Sequence, residues 1–416
     1  MFAFPEPDRK PNQQDVLRLA CEPLDVVRIA FIGLGKRGKE SINHYMYINN
    51  VQIVAVCDVN PSNLSFVADK LRQHGLPAAR EYDQPDDWKT VCALPDVDLV
   101  YICTHWQLHA PIAVYAMQMG KHVAVEVPAA LSVEDCWALV DTAEITRRHC
   151  FMLENCCYDK FELTILNMAQ QNVLGEIFHC EGAYIHDLRW LDFVQKPDYL
   201  NSWSMLGNPY PTHGFGPLCQ LLNIHRGDKL DMLVSMSGNQ FNHPAAEGGM
   251  VKKECCTLGN VNTSLVKTHK GKTVVLQHDI SSPRPYSRNY LVCGTKGFAD
   301  KRIEPGIAFG ENPSCYLSKG ELNIMLKQYE HPFYKEQGEV AQKVGAHGGM
   351  DFIMDYRLVY CLRKGLPLDV DVYDAAEWSC IVELSAKSVE LGSTPVKIPD
   401  FTRGAWERLT GLSFAQ

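Results

Sequence analysis

The chain has 416 residues, of which 46% are apolar and 21% are charged, a composition typical of a globular protein with more than one compact domain. A net charge of −9 and a pI near 5.9 show no excess of basic residues, which argues against nucleic acid as the main partner. No apolar run approaches the ~18–20 residues of a membrane helix, and residues 1–25, predicted to form an N-terminal arm, lack a signal-peptide pattern.

Residues 26–157 are predicted to form a doubly wound parallel sheet. Helical patterns ending at Gly75 and Gly120, and another beginning at Ser132, separate the strand-like runs. These runs are nearly all apolar, as in strands covered on both faces, and read "VVRIAFIG" (26–33), "VQIVAVCD" (51–58), "VDLVYICT" (97–104) and "KHVAVEVP" (121–128). Strands that alternate with helices favour right-handed βαβ units, and so a Rossmann-type α/β domain.

Residues 158–416 show a different pattern and are predicted to form a second α/β domain with a mostly antiparallel, open sheet. After a helix near 159–171, strand-like segments follow one another without helices at 176–186, 230–237, 260–268, 272–280 and 288–293. Two helical patterns, ending at Gly365 and Gly392, close this domain. Long loops are predicted at 192–217 and 281–314, where proline and glycine are densest.

The sixteen cysteines form no CxxC pair, so a zinc site is not expected and we predict no bound metal. Most of them lie in apolar segments, as is typical of buried free thiols in a reducing compartment. The chain is therefore predicted to be cytoplasmic, with neither nucleic acid nor a membrane as its partner.

A glycine-rich turn follows the first predicted strand in "IAFIGLGKRGKE". Gly33, Gly35 and Gly38 have the G-x-G-x-x-G spacing between a strand and a helix, and Asp58 ends the next strand twenty residues after Gly38. This context indicates a dinucleotide site, with the pyrophosphate on the helix N-terminus. Asp58 would bind the adenosine ribose and favour NAD over NADP. The alternative for Asp58 is a helix cap before Pro61.

Ligands of such sheets bind beyond the carboxyl ends of the strands. We therefore expect the nicotinamide and its ribose near the polar residues that follow the third, fourth and fifth runs. These residues are Thr104, His105, Trp106, His109, Glu126, Val127, Glu154 and Asn155.

The segment from "CTHWQLHAPIAVYAMQMGKHVAVEVP" to "EVPAAL" resembles the glucose–fructose oxidoreductase / inositol dehydrogenase superfamily. Members of that superfamily have a lysine where this chain has Val127, and the lysine helps to move the proton of the hydroxyl being oxidised. An ordinary sugar dehydrogenase of this kind would therefore lack one working part here.

Later motifs resemble glycoside hydrolase family 109, a branch of the same superfamily. The motifs are "LENCCYD", "YPTHGFGPLCQLLNIHRGDKLD", "SSPRPYSRNYLVCGTKG", "GAHGGMDF" and "LPLDVDVYDAAEWSC". The resemblance implies a small-molecule glycoside as substrate, most specifically an α-N-acetylgalactosaminide, and an NAD that is tightly bound and not consumed. It implies sugar contacts from Tyr184, Tyr210, Pro211, Thr212, His213 and Tyr286. It implies cofactor contacts from Gly33, Leu34, Gly35, Lys36, Arg37, Gly38, Asp58, Trp106, Gln107, Leu108, His109, Glu126, Val127 and Asn155.

The mechanism that the family implies is redox-neutral. Hydride leaves C3 for NAD⁺, the resulting ketone acidifies the C2 hydrogen, the C1 substituent is eliminated, water adds, and the hydride returns. This scheme assigns the C3 hydroxyl proton to His213, because Val127 cannot accept it. It assigns the C2 proton to a tyrosine, either Tyr184 or Tyr286. The alternatives are a merely hydrogen-bonded histidine at 213 and tyrosines that only pack.

His347 lies between glycines in "KVGAHGGMDF", where a proton carrier stands on a segment that can turn freely. As a hypothesis, this histidine swings to the anomeric side, protonates the leaving oxygen and later activates water. The alternative is a solvent-exposed loop that links a strand to the helix starting near Met350.

Two other functions remain open from the sequence. An NAD-dependent sugar dehydrogenase of the same superfamily would accumulate NADH with free sugars, whereas a glycosidase would release sugar with no net change in NADH. A dinucleotide-binding sensor would need the loop histidines and tyrosines to be incidental. An open sheet in the second domain would also allow a homo-oligomer.

Overall fold

A computed structural model describes residues 1–189, 197–242, 256–310, 315–345 and 347–415. The chain forms two compact units, neither of which is continuous in sequence. The parallel-sheet unit comprises Pro7–Asn155, Glu336–Ser379 and the residues from Ser413; the antiparallel-sheet unit comprises Met1–Glu6, Cys156–Lys335 and Cys380–Leu412. The two units therefore interleave along the chain. The domain boundaries predicted from the sequence stay a prediction.

The parallel-sheet unit contains six strands in the order β3-β2-β1-β4-β5-β6, and every neighbouring pair is parallel. The central strands are almost fully buried, as their apolar composition predicts. The strands are β1 (Val27–Ile32), β2 (Val51–Cys57), β3 (Arg80–Tyr82), β4 (Leu99–Ile102), β5 (His122–Val125) and β6 (Cys150–Met152). Helices α1 (Lys36–Tyr45), α2 (Pro61–Gln73), α3 (Asp87–Ala93), α4 (Trp106–Gln118) and α5 (Val133–Thr146) connect them.

Within its described residues, the antiparallel-sheet unit contains a sheet of eight strands in the order β13-β12-β11-β7-β10-β9-β8-β14. Among neighbouring pairs of these eight described strands, β7–β10 is parallel and the other pairs are antiparallel. The strands are β7 (Ile177–Ile185), β8 (Leu230–Ser237), β9 (Asn262–Thr268), β10 (Thr273–Asp279), β11 (Tyr290–Gly294), β12 (Gly297–Lys301), β13 (Gly306–Phe309) and β14 (Val396–Lys397). The predicted fold class, a Rossmann sheet followed by a mostly antiparallel open sheet, is therefore confirmed.

The remaining α-helices of the described residues follow β6 along the chain. They are α6 (Lys160–Gln170), α7 (Pro197–Ser202), α8 (Thr212–Leu221), α9 (Lys319–Gln328), α10 (Pro332–Val344), α11 (Met350–Lys364) and α12 (Val372–Glu390). None of the helices in the described ranges combines the length and the apolar character that crossing a membrane requires.

The prediction of two long loops, which was based on proline and glycine density, is partly wrong. The segment 281–314 contains β12 and β13, whose close packing uses glycines: a Cβ on Gly297 would lie 2.9 Å from the Leu174 side chain. The segment 192–217 contains α7 and the start of α8 within its described residues. Glycine density there reflects close backbone packing as well as turns.

Candidate active site

The glycine-rich turn joins β1 to α1 in the parallel-sheet unit, and its three glycines meet different surroundings. Gly33 has φ +87°, and a Cβ there would lie 2.5 Å from the Cys103 carbonyl oxygen. A Cβ on Gly38 would lie 2.3 Å from the carbonyl oxygen of Gly33. Gly35, the N-cap of α1, is exposed and has no atom within 4 Å of such a Cβ. Gly33 and Gly38 are therefore required by the fold, whereas Gly35 leaves space open in front of the helix amides, as a bound pyrophosphate needs.

Asp58 follows β2 and faces the glycine turn. Its Oδ2 accepts a 2.6 Å hydrogen bond from the Leu34 amide, and its Oδ1 accepts bonds from the Asn60 amide and the Asn63 side chain. The N-cap of α2 is Asn60, whose side chain accepts the Ser62 amide. The cap that the sequence offered as an alternative role for Asp58 thus belongs to Asn60, while Asp58 joins the turn to the end of β2. Its contact with the ribose stays a prediction.

The segments after β4 and β5 are linked by one buried ring. His109, in the first turns of α4, places Nδ1 2.8 Å from the Pro128 carbonyl oxygen and Nε2 3.0 Å from the Thr104 carbonyl oxygen. His109 and Trp106 are buried, while Gln107 and Leu108 on the same helix are exposed. His109 therefore holds together the loops that follow β4 and β5 at the carboxyl edge of the sheet.

Arg37 and Glu126 form an ion pair beside the glycine turn. Arg37, in the first turn of α1, approaches Glu126 Oε1 at 3.0 Å through Nη2, and Glu40 at 3.2 Å through Nη1. Glu126 follows β5 and is buried, and so is its neighbour Val127. Lys36, next to Arg37, is exposed. The predicted cofactor residues of the turn and of the loop after β5 are thus in direct contact.

Asp351 completes this ionic group, and the sequence did not point to it. It lies in the first turn of α11, fully buried, with Oδ2 3.3 Å from Nη1 of Arg37. Its Oδ1 accepts a hydrogen bond from the side-chain amide of Asn155, a predicted cofactor residue. Burial disfavours the charge of Asp351, but the His347 hydrogen bond and Arg37 outweigh burial and hold its pKa below the usual value.

His347 joins this ionic group through Asp351. Its Nδ1 lies 2.7 Å from Oδ2 of Asp351, one helical turn away in sequence, and its side chain is 53% exposed. This hydrogen bond raises the pKa of His347 above its usual 6.5. The segment before it is helix α10, so the expectation of a preceding strand is wrong. Ala346, part of the same motif, lies outside the described residues.

The backbone conformation explains why glycines surround His347. Gly345, Gly348 and Gly349 all have positive φ values, as does His347 itself at +44°. A Cβ on Gly349 would lie 2.8 Å from the Ala341 side chain. The turn from α10 to α11 therefore needs these glycines in its observed conformation, and the proposed swing of the loop stays a prediction.

The antiparallel-sheet unit holds the predicted sugar residues, and glycines bring them together. A Cβ on Gly182 of β7 would lie 2.0 Å from the Gly214 carbonyl oxygen, and one on Gly214 of α8 would lie 2.4 Å from the Ala183 amide. The backbones of α8 and β7 are therefore in direct contact at these two glycines. This close approach sets His213, in the first turn of α8, beside Tyr184 near the end of β7.

Tyr184, Tyr210 and His213 form a tight aromatic group. The ring centroids of Tyr184 and Tyr210 are 4.7 Å apart, and those of Tyr184 and His213 are 5.8 Å apart. The Tyr210 hydroxyl lies 3.3 Å from Nε2 of His213. Pro211 and Thr212, between them in sequence, are buried, so their own side chains face the protein interior. Three of the predicted sugar residues thus meet at one place within this unit.

Two further histidines, not predicted from the sequence, join this group. Nδ1 of His186 lies 3.0 Å from the Tyr184 hydroxyl, and its ring packs 5.2 Å from that of Tyr286. His278, the cross-strand partner of Tyr184 on β10, is buried behind it, and burial lowers the pKa of His278 to about 4. The Y-x-H spacing of Tyr184 and His186 could have indicated this contact from the sequence, because alternate residues of a strand lie on the same face.

A buried ionic cluster anchors the segment that carries Tyr286. Arg288 contacts Asp159 at 2.6 Å and Glu162 at 2.5 Å, and Lys301 contacts the same two carboxylates. The Arg288 carbonyl accepts the amide of Ala183 on β7. Half-exposed Tyr286 is thereby held beside the end of the strand that carries Tyr184.

Sequence comparisons agree with both units. A family profile described as "Glycosyl hydrolase 109, C-terminal domain" matches residues 158–408, and one described as "Oxidoreductase family, NAD-binding Rossmann fold" matches residues 27–153. "Glycosyl hydrolase family 109 protein 2" of Phocaeicola vulgatus is 52% identical over 413 residues, which are 96% of this chain and 99% of that protein. "Alpha-N-acetylgalactosaminidase" of Bacteroides fragilis is 51% identical over 418 residues, which are 96% and 97% of the two chains.

Solved structures share the fold at low sequence identity. Levoglucosan dehydrogenase in complex with NADH and levoglucosan gives a TM-score of 0.67 at 17% identity, with 90% of this chain and 100% of that chain covered. An inositol dehydrogenase homologue from Azotobacter vinelandii, complexed with NAD⁺, gives 0.65 at 16% identity, with 92% and 100% covered.

The glycine turn described above fits NAD, and the family profile for this part of the chain is an NAD-binding one. The protein therefore binds NAD, and it is an NAD-dependent glycoside hydrolase with the fold of an oxidoreductase. On the profile and the two relatives, the chain belongs to glycoside hydrolase family 109.

Proposed function

We propose that this glycosidase releases N-acetylhexosamine, most specifically α-N-acetylgalactosamine, by transient oxidation at C3. The observation that carries the proposal is the Tyr184–His186 pair beside the Tyr210–His213 pair, which supplies two separate proton acceptors in one unit. The name of the Bacteroides fragilis relative supports the choice of sugar. The glycine turn, Asp58, Glu126 and Asn155 would hold an NAD that is tightly bound and unchanged after each turnover. When bound, NAD⁺ supplies a reversible hydride acceptor for C3.

His213 takes the C3 hydroxyl proton in this scheme. Val127 is buried and carries no ionisable group, so another base must accept this proton. The His213 ring is partly exposed in the first turn of α8, with the Tyr210 hydroxyl at its Nε2. A neutral imidazole is suited to accept a proton near pH 7 and to return it when the alcohol is restored.

Tyr184 takes the C2 proton, in preference to Tyr286. A phenol acts as a base only after losing its own proton, and Nδ1 of His186 lies 3.0 Å from the Tyr184 hydroxyl to accept it. Tyr286 stands at the rim, half exposed, and contacts His186 ring to ring. Once C2 has lost its proton, the C1–O bond breaks as the C1–C2 double bond forms. The leaving oxygen takes a proton from His347. Water then adds to C1 while Tyr184 returns a proton to C2, and the C3 ketone is reduced back to the alcohol as His213 returns its proton.

The test uses purified protein and aryl N-acetylhexosaminides in deuterated water. Deuterium should appear at C2 of the released sugar, because Tyr184 exchanges its proton with solvent between removal and return. Tyr184→Phe should abolish both release and C2 exchange, while Tyr286→Phe, the matched control, should retain C2 exchange at a reduced rate. NADH, followed by its absorbance, should not accumulate.

Other outcomes would contradict the proposal in different ways. Sugar release without deuterium at C2 would point to direct displacement rather than elimination. Accumulation of NADH with free sugars and no glycoside cleavage would indicate a sugar dehydrogenase. Exchange that survives in Tyr184→Phe but is lost in Tyr286→Phe would transfer the C2 role to Tyr286.

A further inference from the structure

We propose that Asp351 is the positioning residue of His347: its carboxylate fixes the imidazole through Nδ1, so that Nε2 delivers a proton to the leaving oxygen. This inference rests on the proposed function for the identity of the proton acceptor. The contact between Asp351 and His347 is independent of that function and can be tested separately.

The geometry places all of the required atoms in the parallel-sheet unit. Oδ2 of Asp351 lies 2.7 Å from Nδ1 of His347, while the carboxylate is fully buried and the imidazole is half exposed. A carboxylate at Nδ1 selects the tautomer that carries hydrogen on Nδ1. Nε2 is then the nitrogen that gains and loses a proton toward a substrate.

Asp351 is itself held in place on two sides. Arg37 approaches Oδ2, and the Asn155 side chain donates to Oδ1. Arg37 in turn binds Glu126 at 3.0 Å. The carboxylate therefore has a cation and two hydrogen-bond donors around it, which favours its ionised form despite burial.

The charged groups that face His347 are Asp351 on α11 and Arg37 and Glu40 on α1. The Asp351 hydrogen bond favours the imidazolium, burial and Arg37 disfavour it, and Glu40 favours it. The net effect raises the pKa of His347, with Asp351 as the largest cause. Asp351 is thus the group whose removal changes the protonation of His347 most.

This pairing explains how one histidine could serve two steps. As an imidazolium, His347 gives its Nε2 proton to the departing oxygen as the C1–O bond breaks. The ring that remains is neutral, with hydrogen on Nδ1 and a lone pair on Nε2. That lone pair takes a proton from the water that adds to C1, which restores the imidazolium.

The experiment compares Asp351→Asn with Asp355→Asn in the full-length protein. Asp355 lies one turn further along α11, is equally buried, and bonds His44 and Tyr101 instead of His347. The titration of His347 is followed by NMR, with its resonance assigned by its loss in His347→Gln. Turnover is measured on aryl glycosides with good and poor leaving groups across pH.

In the native protein His347 should titrate above pH 6.5, with Nδ1 hydrogen-bonded throughout. In Asp351→Asn its pKa should fall toward 6.5, and turnover should fall at least tenfold for the poor leaving group but much less for the good one. The alkaline limb of the pH profile for turnover should move to lower pH by the same shift that NMR records. In Asp355→Asn the titration of His347 should stay as in the native protein.

A native His347 that titrates at or below 6.5 overturns the proposal without any variant. An unchanged titration in folded Asp351→Asn, or an equal loss for both leaving groups, overturns it as well. If no aryl glycoside is cleaved by the native protein while the NMR shift appears as expected, the proposed function fails and the Asp351–His347 coupling stands.

Discussion

At the scale of single residues, the glycines of the G-x-G-x-x-G motif have two different reasons: close packing within the protein, and open space for a ligand. Gly33 and Gly38 face backbone atoms of the protein itself, at 2.5 and 2.3 Å from a hypothetical Cβ. Gly35 faces open space with a φ of −62°, which other residues can adopt. Gly33 and Gly38 are therefore needed for folding, and we expect Gly35 to be needed for binding the nucleotide.

This division predicts opposite consequences for two alanine substitutions. Gly33→Ala should reduce the free energy of unfolding by about 3 kcal/mol, because it combines a positive φ with a clash against the Cys103 carbonyl. Gly35→Ala should change it by less than about 1 kcal/mol but lower NAD affinity at least tenfold, or about 1.4 kcal/mol, because the methyl group fills the pyrophosphate space. Denaturant unfolding and the NAD content of the purified protein measure the two effects.

Gly75 is the control for these substitutions. It also has a positive φ, +65°, but has open space around it and ends α2. Gly75→Ala should cost about 1 kcal/mol of stability and leave NAD content unchanged. Normal NAD binding by Gly35→Ala would contradict the assignment of this turn as the pyrophosphate site.

At the scale of secondary-structure elements, β5 and β6 begin with a buried histidine pair. His122 opens β5, and its Nδ1 accepts the amide of His149, which precedes β6. The two rings lie 5.0 Å apart. Burial lowers the pKa of His122 to about 4, and burial together with the His122 charge lowers that of His149 to about 3. Both rings are therefore neutral in the folded protein at pH 7.

This pair predicts acid sensitivity with a defined sign. Below pH 6.5 the unfolded chain binds protons at these histidines and the folded protein does not, so stability falls as pH drops from 6.5 toward the folded pKa values. The loss should be on the order of 3 kcal/mol per histidine by pH 4. His149→Leu should flatten this fall in urea unfolding measured across pH. The exposed His74→Gln should keep the native slope, and a native slope in His149→Leu would contradict the prediction.

Helix α11 carries two buried aspartates with different partners. Asp351 and Asp355 lie one turn apart on the face that meets α1, where they contact Arg37 and His44 respectively. His44 holds Nδ1 2.8 Å from Asp355, and Tyr101 donates its hydroxyl to the same carboxylate. Two similar buried carboxylates thus have different partners, which is why Asp355 serves as a control for Asp351.

At the scale of the whole molecule, the outer face of the eight-stranded sheet exposes apolar side chains. Leu265 on β9 is 52% exposed, and its cross-strand neighbours are Val234 and Val275. Met236 on β8 is 64% exposed. Contiguous exposed apolar surface of this kind is typical of protein–protein contacts, and we propose that it supports the homo-oligomer expected from an open sheet.

Sedimentation velocity tests this proposal. The native protein should sediment as an oligomer at micromolar concentration, and Leu265→Glu should shift it to a smaller species because a charge would be buried in the contact. Ile324→Glu, on helix α9 and 67% exposed, is the matched control and should sediment like the native protein. A native monomer, or an oligomer that Leu265→Glu leaves intact, would contradict the proposal.

Several features were predictable because they depend on neighbours in sequence. The order of strands and helices in residues 26–157 follows from apolar runs and glycine stops, and the dinucleotide turn follows from three spaced glycines. The motif around Tyr210 and His213 was recognisable because its residues are consecutive. By contrast, β12 and β13 were missed because their glycines, which allow close packing, resemble those of a loop.

The sequence alone determined the fold class, the family and the identity of most chemically able side chains, because local periodicity and consecutive motifs carry that information. Only the tertiary structure decided which of them are partners. Asp351 meets Arg37 across 314 positions and Asn155 across 196, and no local pattern predicts such contacts. The buried carboxylate of Asp351 acquires its environment from the cation and the amide donor that folding sets around it, which lie far away in sequence.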